Sequence, residues 1–394
     1  MSKDEHEILG LLTSPILLAW DNFTPLTQTP WAGSYIASHF KDALLANSSA
    51  SLTSTLAIGE SWEFSCDPKF PSRLCKSYGN SVDLPHLVSL FPKEILSPTL
   101  AASTKSPTCE ILVKILNAAM PLSFQLHPDD HDSQLKPGEC GKPESWLILA
   151  AERGAGIFLG FSHAFNLKDL ERALISGEDI SRFFNFVPVQ PGEYYDLAPG
   201  VPHAIGAGIT LLEPQRILAG KSGKTYRLWD WGRKYDAAGH LDTQHGKPRE
   251  IHIEASLRLL HAQEKSRSLS DRRNFGEAFV RQCRLAPSKR EFSPKLSIKS
   301  FPANHYYQLH YLTADSPKES HHLSLSIENG YGVLLSLEGT CTLSRAGKKV
   351  TLLPKGRSAL LPHLSFAEGP LNFTFKERAT LALIAPSTAS CQFA

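Results

Sequence analysis

Short apolar runs separated by turn-forming residues dominate the hydrophobic pattern of this chain. Its 394 residues include 27 prolines and 26 glycines, which interrupt the apolar runs at short intervals. This pattern is typical of a β-rich protein. It predicts strands within five segments of the first part of the chain: 109–118, 145–151, 154–161, 192–200 and 208–214.

One segment departs from the strand pattern. Residues 166–184, with the sequence NLKDLERALISGEDISRFF, have apolar positions at helical spacing. Asn166 is a suitable N-cap, and acidic residues lie in the early turns. We predict a small helical insertion here that covers one edge of a β unit.

A second strand-rich block begins near residue 295. Both blocks contain a turn glycine seven residues before a proline turn, Gly192 before Pro199 and Gly347 before Pro354. This weak internal repeat predicts two copies of one β-sandwich or jelly-roll unit. The predicted fold is therefore mainly β, with a first domain at 1–263 that includes the insertion, a linker at 264–294 and a second domain at 295–394.

Composition and charge argue against several classes of protein. The net charge of +2 gives no reason to expect a nucleic-acid partner. The N-terminal segment is acidic where a signal peptide is basic, and no apolar run reaches the roughly 20 residues of a membrane span. The seven cysteines are dispersed and include no CxxC pair, as expected for free thiols in a reducing compartment. We therefore expect a cytoplasmic protein with no membrane partner.

Side chains of metal-binding type stand at three turns or strand ends of the first block. Gln125 and His127 are two residues apart, so they share one face of a strand. Glu144 follows in GKPESW, and His203 in PGVPHAIG. Two histidines and one carboxylate suit a divalent ion such as zinc, and a neutral glutamine leaves the site positively charged. We predict one Zn²⁺ bound by these four residues, and no metal site in the second unit.

Simpler explanations exist for each of these residues taken alone. A single histidine is more often a surface or core residue than a ligand. Asp129 and Asp130, which follow the pair, are explained equally well as the start of a turn after Pro128.

Longer motifs carry a resemblance to a known family. The chain resembles the type I mannose-6-phosphate isomerases, zinc enzymes of the cupin fold, over most of residues 31–260, whereas its second block resembles them only in general cupin pattern. The motifs that carry the resemblance are QLHPDD, GKPESW, PGVPHAIGAG, LLEPQ, TYRLWDWGR and GKPREIHIEASL. The resemblance implies two cupin-like units, a zinc cofactor and a sugar-phosphate substrate, interconverted between mannose 6-phosphate and fructose 6-phosphate.

The resemblance also implies roles for individual residues. The four predicted zinc ligands coincide with the ligands of the family. Arg227 matches an arginine held to be essential, and Ser123 matches a serine that contacts the sugar phosphate. Glu213 matches a proposed proton carrier, and Lys142 is the lysine of the KPE motif. Arg227, Glu213 and Lys142 are thus the predicted catalytic residues, and Ser123 and Arg227 the predicted substrate-binding residues.

Two of these assignments leave alternatives open. The sequence does not decide whether Glu213 or Lys142 carries the proton. Glu213 has a second interpretation as a structural ion pair with Arg216, and Arg227 has one as a surface ion pair with Asp230.

The phosphate end of the site is less well determined. The segment 216–224 is longer than its counterpart in the short bacterial members, and its basic residues are candidate phosphate donors, although a solvated loop explains Lys221 and Lys224 better. A second phosphate-binding lysine of the family corresponds to Arg233 or Lys234. Ile205 stands where longer members have an aromatic residue.

Other functions are compatible with the same ligands. One is a non-catalytic metal-binding cupin that binds or senses sugar phosphates. Another is a metal-dependent dioxygenase, which the GKPE and LLEPQ segments disfavour. We expect a monomer that acts on a small-molecule sugar phosphate without a nucleic-acid partner.

Overall fold

Antiparallel strands form most of the regular structure. The computed structural model describes residues 8–47, 56–75, 82–162, 166–266, 276–315, 320–345 and 350–394. The strands of the N-terminal part are β1 (Ile16–Leu17), β2 (Glu60–Phe64), β3 (Ile111–Ala118), β4 (Phe124–Leu126), β5 (Glu139–Cys140), β6 (Glu144–Ala151), β7 (Gly156–Phe161), β8 (Phe184–Pro188), β9 (Tyr194–Leu197), β10 (His203–Ile205), β11 (Ile209–Arg216), β12 (Ser222–Gly223) and β13 (Tyr226–Trp229). All five segments predicted as strands contain or overlap one, so that part of the prediction is confirmed.

The first unit is a sandwich of two antiparallel sheets, in the strand orders β13-β4-β10-β7-β8 and β2-β3-β11-β6-β9. Side chains from both sheets share one core cluster, which includes Leu116 and Trp146 from the second sheet and Leu159 and Ile205 from the first. Such a closed pair of sheets is the expected jelly-roll arrangement.

The second unit has the same architecture. Its strands are β14 (Ser288–Ser293), β15 (Leu296–Ser300), β16 (Tyr307–Ala314), β17 (His321–Glu328), β18 (Gly332–Glu338), β19 (Cys341–Ser344), β20 (Thr351–Leu353), β21 (Ser358–Leu361), β22 (Leu371–Phe375), β23 (Ala379–Pro386) and β24 (Ser390–Phe393). They form sheets in the orders β1-β21-β18-β23-β16-β15-β14 and β20-β19-β22-β17-β24. The predicted mainly β fold of two cupin-like units is confirmed, although Gly347 of the internal repeat lies outside the described residues.

The two units pack together through a shared hydrophobic core. Val113 and Ile115 of β3 belong to the same buried cluster as Leu309 and Val333 of the second unit. The sheet that contains β3 is therefore covered on both faces, which explains why β3 is apolar at nearly every position instead of alternating. In addition, β1 pairs with β21, so residues near the N-terminus complete a sheet of the second unit.

The helices lie between and around the sheets. They are α1 (Asp42–Ala46), α2 (Leu84–Leu90), α3 (Pro92–Leu96), α4 (Pro98–Ala102), α5 (Leu167–Ser176), α6 (Ile253–Ser266) and α7 (Gly276–Cys283), with a π-helix at Ile36–Phe40 and 3₁₀ turns at Ser181–Phe183 and His363–Phe366. Among the described residues, none of the helices is long and apolar enough to cross a membrane.

The predicted helical insertion is present as α5. The Asn166 side chain accepts a hydrogen bond from the backbone N–H of Lys168, and Gly177 ends the helix in the left-handed conformation. The helix packs on Phe124 and Leu126 of β4, so it covers the outer face of the first sheet rather than its edge. This location follows from strand alternation, because these two side chains point away from the side that carries Gln125.

The segment predicted as an exposed linker, 264–294, contains regular elements. Helix α6 extends to Ser266, α7 lies within the segment and β14 begins at Ser288, whereas residues 267–275 lie outside the described residues. Phe279 and Cys283, one turn apart on α7, are buried in a core cluster of the first unit. The described parts are thus packed elements and not an open linker, and the domain boundaries stay a prediction.

Candidate active site

Neighbouring strands bring the predicted metal ligands together. Gln125 on β4 is directly opposite His203 on β10, and His127 follows β4 immediately before Pro128. Glu144 begins β6 in the facing sheet. The structure thus gathers all four residues at one place inside the first unit.

The distances among these side chains fit ligands of a single ion. The Glu144 carboxylate lies between two imidazoles, with Oε2 3.2 Å from His127 Nε2 and Oε1 3.2 Å from His203 Nε2. Gln125 Nε2 is 3.4 Å from His203 Nε2, and its assignment relative to the amide oxygen depends on the hydrogen-bond network. Two ligands that are each about 2.0–2.1 Å from a tetrahedral ion lie about 3.3–3.4 Å apart. The observed spacing is close to that value.

Hydrogen bonds turn the lone pairs of both histidines toward Glu144. Each Nδ1 faces a backbone carbonyl, that of Lys224 at 3.2 Å from His127 and that of Val201 at 2.9 Å from His203. Since a carbonyl can only accept, each Nδ1 carries the proton and each Nε2 carries a lone pair. His127 Nε2 and Glu144 Oε1 are buried and have no hydrogen-bond partner among the described residues. Converging acceptor atoms of this kind can hold a cation between them.

The electrostatic environment keeps these groups in their metal-binding protonation states. Burial and the Lys142 ammonium lower the pKa of His127 to about 3, so the imidazole is neutral. Burial by itself would raise the pKa of Glu144, but the Lys142 ammonium holds it well below its usual range. Within the described ranges, His127, Glu144 and His203 form the only group of three or more histidine, cysteine or acidic side chains whose ligand atoms all lie within 4.8 Å of one another.

Lys142 is a buried cation beside the ligands. Its Nζ is 3.1 Å from Glu144 Oε2. Burial would lower its pKa, but Glu144 and Glu213 raise it above the ordinary value, so the ammonium stays protonated. Gly223 is required next to it, because a Cβ there would lie only 2.8 Å from Lys142 Cγ.

A cavity of about 320 Å³ opens beside the ligands. This volume is in the range of small-molecule sites. Its lining includes five of the predicted site residues: Ser123, Gln125, Lys142, Glu213 and Arg227.

Glu213 is buried on β11, across the ladder from Lys114 of β3. Its Oε1 accepts a hydrogen bond from Trp146 Nε1 at 3.1 Å, and its Oε2 accepts one from Gln215. Lys114 Nζ is 3.9 Å from Oε2. Burial first, and then the negative charge of Glu144, raises the pKa of Glu213 to about 7.

The alternative pairing of Glu213 with Arg216 is wrong. Arg216 forms a two-point ion pair with Asp130, with Nη1 2.9 Å from Oδ1, and its guanidinium stacks on the ring of Tyr306 at 4.6 Å. Lys224 Nζ is likewise paired with Glu139 at 2.8 Å. Arg216 and Lys224 therefore stabilise the loop after His127, and neither they nor Lys221 line the cavity.

Arg227 lies in a row of site residues across three strands. On β13 it is directly opposite Gln125, which is itself opposite His203. Its Nε donates to Ser123 Oγ at 3.2 Å, and its Nη1 donates to the backbone carbonyl of Glu250 at 2.6 Å. The two predicted substrate-binding residues are therefore in direct contact at the cavity wall.

Asp230, the alternative partner of Arg227, already forms ion pairs with two other arginines. Asp230 binds Arg233 at 2.6 Å and Arg249 at 2.7 Å. The pairing also ties down Arg233, one of the two candidates for a further phosphate ligand.

Sequence and structure comparisons agree on one relationship. No protein-family model matches the chain. It is 33% identical over 202 residues to the mannose-6-phosphate isomerase of Streptococcus mutans, a match that covers 51% of this chain and 58% of that relative. It is 36% identical over 151 residues to the mannose-6-phosphate isomerase ManA of Bacillus subtilis, which covers 38% and 44% respectively. These matches span about half the length of the curated relatives.

The fold comparison extends over nearly the whole chain. The crystal structure of the mannose 6-phosphate isomerase from Bacillus subtilis matches with a TM-score of 0.69 at 23% identity, over 94% of this chain and 99% of that one. This chain is similar in sequence and in fold to mannose-6-phosphate isomerases. The resemblance read from the motifs is thus confirmed, and at this level of identity the structural match supports the fold alone.

Three residues of the cavity wall, Glu60, Trp62 and Lys114, were not among the site residues predicted from the sequence. Lys114 Nζ is 3.5 Å from Glu60 Oε2 and 4.1 Å from the centre of the Trp62 ring. A signal for Lys114 existed, because it is the one charged residue within the apolar run ILVKILNA. Glu60 and Trp62 lie in the segment IGESWEFS, and Trp62 is directly opposite Lys114, but this pairing of β2 with β3 depends on the sheet order.

Proposed function

We propose that this chain is a zinc-dependent isomerase that interconverts mannose 6-phosphate and fructose 6-phosphate, through proton transfer between C1 and C2 and an enediol intermediate. The supporting observation is the convergence of two buried imidazoles on one carboxylate, next to a cavity lined by Glu213 and Arg227. A carboxyl group with a pKa near neutrality and a fixed cation are what an enediol reaction requires.

The four residues Gln125, His127, Glu144 and His203 would hold the zinc ion. The donor set of two nitrogens, one carboxylate and one neutral amide suits zinc better than magnesium or calcium, which prefer oxygen ligands. When bound, such an ion supplies Lewis-acid polarisation of the sugar oxygens.

Glu213 is the proposed proton carrier. With a pKa of about 7, its carboxyl group exists in both protonation states near neutral pH, so it can take a proton from one carbon and return it to the other. Lys142 is a poorer candidate for the base, because its pKa is raised and its ammonium is bound to Glu144. We assign Lys142 the role of a protonated donor that keeps Glu144 ionised.

Arg227 and Ser123 are the proposed anion-binding residues. The hydrogen bonds of the Arg227 side chain go to two neutral oxygens, so its positive charge is available to a phosphate or to a developing enediolate. Arginine is well suited to both tasks because its guanidinium presents several donors in a fixed plane.

A non-catalytic sugar-phosphate sensor is the second candidate. Such a protein would need the metal ligands and Arg227, but it would not need a buried carboxyl group with a pKa near 7. The position of Glu213 on the cavity wall, beside the ligands, therefore favours the enzyme over the sensor.

The experiment that tests the proposal is a coupled assay of fructose 6-phosphate formation from mannose 6-phosphate. Turnover should disappear after chelation and return when zinc is added, with the metal content measured in parallel. Folded, zinc-loaded protein that binds mannose 6-phosphate without converting it would favour the sensor. The cytoplasmic location, the monomeric state and the absence of metal from the second unit stay predictions.

A further inference from the structure

A segment of the second unit reaches into the first unit directly behind the candidate site. It consists of residues 304–307, at the start of β16, and we call it the clamp. Two of its side chains, Asn304 and Tyr307, bond to residues of the first unit, and Tyr306 stacks on a third.

Tyr307 occupies a break in the sheet that carries the site. Pro214 of β11 has no N–H, and the pairs on either side, Leu212 with Leu147 and Gln215 with Glu144, place it opposite Ser145. The ladder therefore lacks a backbone hydrogen bond at this point.

The hydroxyl group of Tyr307 lies beside Pro214 and Ser145. Tyr307 is fully buried, and its Oη donates to the backbone carbonyl of Pro214 at 2.8 Å. The same Oη lies 3.0 Å from Ser145 Oγ, across the gap on β6. One side chain of the second unit thus contacts both strands of the first unit that carry Glu213 and Glu144.

Further bonds fix the tyrosine in position. Ser145 donates to Asp196 at 2.7 Å, and Asn304 Nδ2 donates to the same carboxylate oxygen at 2.9 Å. Asn304 Oδ1 accepts from the backbone N–H groups of Tyr306 and Tyr307, both at 2.9 Å. The clamp is therefore a closed polar network and not a loose contact.

The contacted residues stand next to the proposed chemistry. Ser145 follows Glu144, and Pro214 lies between Glu213 and Gln215. Gln215 Nε2 in turn donates to Glu144 at 3.2 Å and to Glu213. A displacement of the Pro214 backbone would therefore be transmitted to both carboxylates.

We propose that Tyr307 is a positioning residue, through which the second unit sets the placement of Glu144 and Glu213. The role for Glu144 concerns metal affinity and stands without the isomerase reaction, whereas the role for Glu213 rests on the proposed function. The second unit, in which we predict no metal site, would then be needed to hold the two carboxylates of the first unit in place.

The test compares two variants that each remove one tyrosine hydroxyl from β16. Tyr307→Phe removes the hydroxyl that donates to the Pro214 carbonyl and contacts Ser145. Tyr311→Phe is the matched control, because Tyr311 lies four residues further along the same face of β16, opposite Ala382 of the second unit. The zinc dissociation constant is measured by competition with a chromophoric chelator, and kcat and KM by the coupled assay.

We expect Tyr307→Phe to weaken zinc binding and to lower kcat, each by about tenfold or more, as for other residues that orient metal ligands. KM should change much less than kcat, and Tyr311→Phe should resemble the unmodified protein in all three quantities. If Tyr307→Phe does not fold, Ser145→Ala, which removes the hydroxyl on the other side of the gap, takes its place with the same expectation.

The outcomes separate the two proposals. Zinc affinity and kcat that are equal in the Tyr307 and Tyr311 variants would overturn the positioning role. Weaker zinc binding in the Tyr307 variant, in a protein that shows no isomerase turnover at all, would support the positioning of Glu144 while refuting the proposed function.

Discussion

Replacement of Arg227 by alanine separates an isomerase from a sugar-phosphate binder most clearly. The guanidinium lines the cavity and is oriented by Ser123 and by the Glu250 carbonyl, both of which are neutral acceptors. Burial first, and then the nearby Arg249, lowers the pKa of Arg227 below its ordinary value, which means that its charge is incompletely compensated. An anion in the cavity would supply that compensation.

The expected magnitude follows from this geometry. A fixed donor that stabilises charge formed only in the transition state is worth about 2.7–4 kcal/mol, which corresponds to roughly 100- to 1,000-fold in kcat. Arg227→Ala should therefore lower kcat by at least about a hundredfold, with a smaller change in KM. If Arg227 bound the phosphate equally in the ground and transition states, KM would rise while kcat stayed nearly constant.

The assay measures kcat and KM of zinc-loaded protein, with zinc content and thermal unfolding recorded for each variant. Arg249→Ala is the control, because it removes a neighbouring guanidinium that already has a carboxylate partner, Asp230. Its kcat should fall far less than that of Arg227→Ala. Near-normal turnover in folded, zinc-loaded Arg227→Ala protein would refute the assigned role, and an equal loss in both variants would indicate a general effect of charge or folding.

Three further predictions concern the metal, the proton carrier and the fold. His203→Ala should abolish zinc binding in equilibrium dialysis while the far-ultraviolet circular dichroism stays native, and retained zinc would contradict the ligand assignment. As the pH falls through the Glu213 pKa of about 7, the carboxylate is protonated and kcat/KM should drop. A bound cation moves the midpoint of this pH profile to lower pH. Replacement of the carboxyl group in Glu213→Gln should lower kcat by a factor of about 10²–10⁴. Lys41 is fully buried, with its Nζ 2.8 Å from the Glu63 carboxylate. Lys41→Met should therefore lower the free energy of unfolding, measured in urea, by about 3–5 kcal/mol. A smaller loss in the double variant with Glu63→Leu would identify the unpaired carboxylate as the cause.

The grouping of the candidate metal ligands could be predicted largely because Gln125, His127 and His203 are marked locally in the sequence. His127 precedes a proline that ends its strand, and His203 follows the Pro-Gly-Val-Pro turn. Strand alternation then places Gln125 and His127 on one side, whatever the partner strands are. These features depend on neighbours in the chain, which a sequence displays directly.

The features that were missed depend on which distant strands become neighbours. Arg216 was a candidate partner for Glu213 by proximity in the sequence, but residues three apart on a strand point to opposite faces. Arg216 instead meets Asp130 from a loop more than 80 residues earlier. The pairing of β1 with β21 likewise joins residues at opposite ends of the chain. Sequence patterns define faces and turns, whereas register between remote strands is set by the packing of the whole sandwich.

The charges of the cavity lead to a last prediction, about the order of binding. Four cationic and four acidic side chains lie on its wall or directly behind it and cancel when all are ionised: Lys69, Lys114, Lys142 and Arg227 against Glu60, Asp67, Glu144 and Glu213. A neutral cavity has little net attraction for a dianionic phosphate, whereas a divalent cation held at Glu144 would give it a charge that matches the dianion. A hexitol 6-phosphate, which cannot isomerise, should therefore bind zinc-loaded protein at least about tenfold more tightly than chelated protein, a difference of about 1.4 kcal/mol. Isothermal titration calorimetry measures both affinities, and the gap should narrow as salt is added. Equal affinities would show that the phosphate is bound by local donors alone, without a contribution from the charge at the metal centre.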